Sequence, residues 1–427
     1  MRHAVLLRLL ILTCFSTHLV TAAEPYWNQF RGPHANGETT ASLPTDFDDE
    51  QNVAWKTEIH GKGWSSPVVW DKQVWLTTAQ EDGKKLYAMC MNADTGAIEH
   101  DLLVFEVAEP KFCHPTNSYA SCTPFIEEGR VYVHFGEYGT ACLDTATGKK
   151  IWERRDFVSE DFRGPASSPI VVGDRLFINF DGVDFQFMVA LDKQTGETLW
   201  RSDRDIDYGT DDGDSKKAYG TPTLIEVGGE QQLISTAAAE TLAHDPETGR
   251  VIWRVHNEGM NGSARPLFEN GLVYICAGRG DMALLAVRPD GTGDVTNTHL
   301  AWNTGNSVPR FSSQLVIGER LYMINDTGVI SCLNALDGSK VWTKRHAGEY
   351  WASPLYCVGK ADAAGNGASN GNIYFLSKEG TVLIVAAKDE FELVAEKQFP
   401  AGFNASPAVV GDSLLLRSFT HLYRIGK

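Results

Sequence analysis

Nine side chains carry most of the chemistry this chain could do: Trp64, His114, Asn117, Tyr119, Arg163, Tyr219, Arg310, Phe311 and Trp351. Each lies shortly before a Ser/Thr-rich segment that opens a β-strand pattern. Aromatic faces beside Arg and His suit a planar or anionic ligand, or a peptide from a partner. A competing reading has the aromatics filling the interior and the arginines bonding backbone carbonyls. Phe162-Arg163-Gly164-Pro165 repeats an earlier Phe30-Arg31-Gly32-Pro33; Gly allows close backbone approach and Pro stiffens the turn, so each Arg is either presented in a fixed direction or packed along its stem.

Other constellations are weaker. Asp205, Asp207, Asp211, Asp212 and Asp214 are acidic enough for Ca²⁺, but Gly209 breaks the EF-hand spacing and a solvated loop is favoured. His114, His134, His244 and His256 lack zinc-type spacing. No strand-borne nucleophile elbow and no Gly-rich phosphate loop after a strand are assigned. No catalytic residue and no metal ligand are therefore assigned. Cys113 and Cys122, nine apart, are the one plausible disulfide pair.

The elements that must position these residues come from a repeat. Eight strand-opening segments occur at Ser65-Ser66-Pro67, Ser121-Cys122-Thr123-Pro124, Ser167-Ser168-Pro169, Thr221-Pro222, Ser263-Ala264-Arg265-Pro266, Ser312-Ser313-Gln314, Ser353-Pro354 and Ser406-Pro407. They are spaced about 40 to 57 residues apart, the period of four-stranded propeller blades. Within each unit short β-branched and aromatic strands such as Arg130 to Phe135 follow. Then comes an Asp-x-x-Thr-Gly turn, read at Asp94 to Gly96, Asp144 to Gly148, Asp192 to Gly196, Asp245 to Gly249, Asp290 to Gly293 and Asp337-Gly338. Trp152, Trp200, Trp253 and Trp342 each follow the turn Gly by four residues, while the first unit has His100 there. Cys90, Cys142 and Cys332 sit six residues before the Gly, where other copies have Ala190 and Ala243, and read as small apolar fillers.

The last unit has three strands and stops. The strand around Trp55 has no partner before it. The expectation is an all-β, eight-bladed propeller over residues 24–427, with the N-terminal strand completing the last blade so that no lone edge remains; seven blades is the alternative, since the seventh is irregular and carries a Gly/Asn-rich insertion over 361–372.

Residues 1–23 read as a secretory signal peptide, which places the protein in the periplasm or outside the cell. Cleavage would leave 36 basic against 55 acidic side chains, net −19, with no membrane-spanning segment. Such a surface argues against nucleic acid, whose phosphates need clustered Lys and Arg. It suits a soluble exported protein, expected to be a monomer.

The Ala-x-Asp-x-x-Thr-Gly-x-x-x-Trp repeat resembles the tryptophan-docking motif of the pyrroloquinoline-quinone (PQQ) propeller superfamily, which includes quinoprotein alcohol and sugar dehydrogenases and the non-catalytic scaffold of the outer-membrane assembly machinery. The resemblance covers residues 52 to 427, and Trp27 to Gly37 with His114 to Pro124 resembles exported PQQ-like proteins of planctomycete type. It implies that Trp152, Trp200, Trp253 and Trp342 dock neighbouring blades. Quinone enzymes of the superfamily add a Ca²⁺ ligand set of carboxylates and amides, a carboxylate base and often adjacent cysteines. None of these maps onto this chain, and no Cys-x-x-Cys-His haem motif occurs. The sequence therefore favours a non-enzymatic envelope platform for an exported protein or small ligand at the channel mouth, without cofactor. The alternative is a divergent quinoprotein oxidoreductase using PQQ and Ca²⁺.

Overall fold

The computed structural model describes residues 26–257, 259–279, 284–358 and 371–426; residues 1–23, expected to be a signal peptide, and most of the 361–372 insertion lie outside them. Eight antiparallel sheets stand around a central channel, with blades at 68–106, 125–154, 170–203, 223–256, 267–304, 315–345, 355–398 and 408–425. The eighth blade supplies only three strands of its own. Val53–Glu58 completes it by pairing antiparallel with His421–Ile425, so eight blades and closure by the N-terminal strand are what the chain forms.

The docking motif works as expected, by a contact that spans blades. Trp152, Trp200 and Trp342 donate their indole N–H to the carbonyls of Lys193, Pro246 and Lys388 in the next blade's turn, at 3.0 Å each. Trp55 does the same to Ala93 across the closure. A Cβ at Gly196 would stand 2.8 Å from the Trp152 ring, and Gly196 itself has φ +75, so both the conformation and the contact require glycine. In blade 1, His100 takes the Trp's place, its Nε2 lying 3.2 Å from the carbonyl of Thr145.

Trp253 is the exception. Its N–H goes to Gln232 Oε1 in its own blade, and the other end of that amide reaches Pro289 in the next blade. The reason is the irregular fifth turn, where Gly293–Asp294 swings across to pair with the outer strand of blade 4.

The register also explains the fillers. Cys142, Ala190, Ala243 and Cys332 lie directly opposite Trp152, Trp200, Trp253 and Trp342, and Cys90 opposite His100. All five are fully buried, so a larger side chain would collide with the docking ring. Two turn assignments need correction. In blades 1 and 6 the residue four before the Gly is Asn92 and Asn334, not Asp94 and Asp337. Asn92 Oδ1 accepts the Asp94 and Thr95 amides, and Asn334 Oδ1 accepts that of Leu336. Asn and Asp serve the same turn chemistry, which is why the motif tolerates the exchange.

The repeated Ser/Thr before each inner strand has a specific role. The Ser66 amide donates to Thr123 Oγ1, Thr123 to Ser168 Oγ and Ser168 to Thr221 Oγ1. The series resumes from Arg265 to Ser313, Ser313 to Ser353, Ser353 to Ser406 and Ser406 back to Ser66, all within 3.1 Å. It breaks once, between blades 4 and 5, because Arg265 occupies the position of the hydroxyl.

Candidate functional site

That break is where the N-terminal segment is held. Tyr26–Trp27 pairs with Val69 and Trp70 at the end of the channel away from the strand-opening loops, and Glu38–Thr39 pairs in parallel with Tyr356 and Cys357 at the same end. Between them the chain rises into the channel and turns at Arg31 and Gly32, both at positive φ. A Cβ at Gly32 would meet the Trp27 ring at 2.8 Å, so the turn needs glycine. Two buried arginines fix the plug. Arg265 donates to the Phe30 carbonyl and to Gln29 Oε1. Arg31 donates to the carbonyls of Gln314, Asn36 and Pro354. Burial pulls the Arg31 guanidinium down toward about 9, which still leaves it charged at neutral pH. Arg31→Met keeps the stem and the same backbone strain while leaving those carbonyls short of a donor; the expected loss is about 2–3 kcal/mol by chemical denaturation.

Above the plug, at the mouth, is a cavity of about 240 Å³ with Phe30 in its wall. Of the nine residues singled out from sequence, eight meet there: Trp64, His114, Asn117, Arg163, Tyr219, Arg310, Phe311 and Trp351. Tyr119 does not. Its ring packs beside Tyr138 and its hydroxyl donates to the Lys111 carbonyl, tying down the loop instead. The expected disulfide is also absent. Cys113 and Cys122 are both free thiols, the first packed against Gly164 and the second fully buried. Burial pushes the Cys113 thiol up to about 11, so neither is a ready nucleophile.

The charged groups at the mouth are spoken for. Arg163 forms a bidentate pair with Asp214 at 2.8 and 2.5 Å, and the Arg310 guanidinium pairs with Asp326. Asn117 is saturated, donating to the Arg163 and Pro165 carbonyls and accepting from Ser118 and Ser121. His114 Nδ1 meets the Thr116 hydroxyl. The acidic loop thus contributes one side chain to the mouth, Asp214, and among the described residues no group of three or more His, Cys, Asp or Glu is placed to hold a metal.

Trp64 donates its N–H to the Thr116 carbonyl, while Phe311 and Trp351 pack at 4.4 Å between ring centres. Sequence reasoning missed two sets of lining residues. The hydroxyls of Ser66, Thr123, Ser168, Thr221, Ser353 and Ser406 line the cavity; the Ser/Thr-Pro repeat was their signal, read only as a strand start. Asn261 and Asn404 carried no signal of their own.

A family model described as outer membrane protein assembly factor BamB matches residues 45–184 and 184–426. The chain belongs to that family. This BamB-family propeller is 23% identical to the outer membrane protein assembly factor BamB of Shewanella oneidensis over 54% of its length and 58% of that protein's. It is 28% identical to the 1-butanol dehydrogenase (quinone) of Thauera butanivorans over 43% of its length and 30% of the dehydrogenase's. The crystal structure of the quinohemoprotein alcohol dehydrogenase from Comamonas testosteroni superposes on 94% of this chain and 81% of its own with TM-score 0.67 at 12% identity, a likeness of fold. The protein is a PQQ-like propeller related to both groups. No helix among the described residues is long and apolar enough to cross a membrane.

The resemblance to quinone enzymes implies PQQ with Ca²⁺, and the described lining residues do not fit that pair. Among the described residues Asp214 is the single carboxylate in the cavity wall and both its oxygens face Arg163, which leaves neither a carboxylate ligand nor a separate carboxylate base there.

Proposed function

We propose that this BamB-family propeller is a non-enzymatic binding platform of the cell envelope, periplasmic or secreted, that engages an exported protein or a small ligand through its channel mouth. The observation that carries this reading is the mouth itself: aromatic side chains surround a cavity whose one described carboxylate, Asp214, is paired to Arg163, above a channel stopped by the chain's own N-terminal segment. Such a site can hold a guest, yet it has no unpaired carboxylate with which to move a proton. Membership of the BamB family supports the scaffold role.

The second reading, a PQQ-dependent dehydrogenase, is supported by the quinone dehydrogenase relatives. Titrating the purified protein with PQQ and Ca²⁺ separates the two. The platform reading expects no quinone absorbance change and no dye-linked oxidation of alcohols or sugars. A photo-crosslinker placed at Phe311 in cells should capture a defined envelope partner. Saturable PQQ uptake with dye reduction would instead establish the dehydrogenase.

A further inference from the structure

The cavity has an unusual distribution of unused hydrogen-bonding capacity. Each of the six ring hydroxyls in its wall already accepts a backbone amide, as Ser66 does from Ser406 and Ser406 from Ser353. Among the described residues none of the six has an acceptor for its own proton. A serine or threonine hydroxyl offers one donor, so the ring presents a crown of O–H groups toward the channel axis.

The opposite deficit lies beside it. The Tyr219 hydroxyl and the Oδ1 atoms of Asn261 and Asn404 are shielded from solvent and have no partner among the described residues. All three residues line the cavity, and Tyr219 is 9% exposed. Polar atoms buried without partners are uncommon in folded proteins and call for an explanation.

The remaining features narrow the guest. The two guanidiniums are neutralised by Asp214 and Asp326, so among the described lining residues no arginine is left unpaired for an anion and no carboxylate for a cation. Trp64 and the Phe311–Trp351 pair supply ring surface at the rim, with the Lys62 ammonium 5.3 Å from the Trp64 ring centre and that of Lys378 4.3 Å from Trp351. A guest suited to this wall is neutral, has an apolar face to lay on an indole, and carries several hydroxyls that both donate and accept.

We propose that the mouth cavity is a binding site for a neutral saccharide, with room for one pyranose ring at the end of an oligosaccharide. This names the ligand class of the platform proposed above and rests on that reading. The ring's hydroxyls would accept from the crown and donate to Asn261, Asn404 and Tyr219. Its C–H face would lie on Trp351 or Trp64, taking the place of the Lys378 or Lys62 ammonium. No bond is made or broken.

The test uses the full mature chain and isothermal titration with neutral gluco-, xylo-, manno-, galacto- and chito-tetrasaccharides, beside anionic tetragalacturonate. At least one neutral probe should bind at a single site, with an affinity in the range of about 1 mM or tighter. Trp351→Ala should weaken it about tenfold or more. Tyr219→Phe and Asn404→Ala are the decisive variants, because each removes an oxygen with no partner among the described residues. Each should weaken binding about fivefold or more while the melting temperature holds or rises.

No neutral probe binding at about 5 mM would overturn the proposal. So would tighter binding of tetragalacturonate than of every neutral probe, or Tyr219→Phe and Asn404→Ala both binding like wild type. These outcomes are independent of the platform reading, which stands or falls on PQQ uptake and on the envelope cross-link at Phe311.

Discussion

Arg204→Ala is expected to cost about 3–5 kcal/mol of folding free energy, enough to leave much of the protein unfolded at moderate temperature. Arg204 and Asp181 are inaccessible to solvent, paired at 2.6 and 3.0 Å. The same guanidinium donates to Ser235 Oγ, which in turn donates to Asn179 Oδ1, and Asn179 donates to the Gly220 carbonyl. The network therefore ties blade 3 to blade 4 directly beneath Tyr219 and Thr221. Burial drives the Asp181 carboxyl upward against the pull of Arg204. Truncating the arginine strands that carboxyl in a site that water does not reach. Its one nearby substitute is Lys217, whose ammonium already donates to the Asp181 backbone carbonyl at 3.4 Å.

The control is the double variant Arg204→Met/Asp181→Leu. Replacing a buried ion pair by apolar groups of similar volume is often neutral or stabilising, whereas breaking one partner is not. The double variant should therefore recover most of the midpoint lost in urea by the single one. If Arg204→Ala and wild type unfold at the same urea concentration, the pair is not holding the blades together. The site should also report the change. Because Gly220 sits between Tyr219 and Thr221, Arg204→Ala is expected to loosen the mouth even under conditions where the ring remains folded.

What the sequence disclosed and what it concealed divide along contact range. The Ser/Thr-Pro starts, the turn glycines and the Trp four residues later lie within one unit, so their spacing alone counts the blades and predicts the closing strand at Trp55. The eight mouth residues were found for the same reason: each lies in a loop that any propeller places at the channel end. The rest depends on partners far apart in the chain. Arg163 meets Asp214 51 residues on, and Arg31 meets Gln314 across 283. Spacing in one chain does not encode such pairs, so arginines that read as anion ligands prove to be neutralised. The plug was hidden differently. Its two strands are only two residues long and take their hydrogen bonds from blades 1 and 7, so no local pattern marks them. Tyr119 shows the limit of position alone. Its loop is at the mouth, but its ring turns into the blade 1–2 core and packs against Tyr138.

Acid should act on the ring through two buried histidines. His134 is 2% exposed, bonded through Nδ1 to the Thr140 hydroxyl and packed edge-on against Phe180. Burial alone lowers it to about 3. His244 is lowered to about 4, first by burial and then by the Arg204 charge. Both are neutral in the native state at pH 7, whereas an unfolded histidine takes up its proton near pH 6.5. Below that pH the unfolded chain binds protons that the native state refuses. Stability contributed by each neutral imidazole is thus present above about pH 6.5 and falls by about 1.4 kcal/mol per pH unit as the pH drops, until the native histidine itself titrates. Glu38 works the other way. Burial raises it to about 7, so the native state holds its proton first and gains stability between about pH 7 and 4.5. A raw pH profile mixes these opposing slopes, and the decisive quantity is a difference. His134→Asn keeps a partner for Thr140 without an ionisable group. Between about pH 6.5 and 4.5 the unfolding free energy of wild type should fall relative to this variant by roughly 2 kcal/mol. Parallel profiles would mean that the imidazole is protonated inside the ring, which the wall formed by Phe180 and Thr140 leaves it no counter-charge to do.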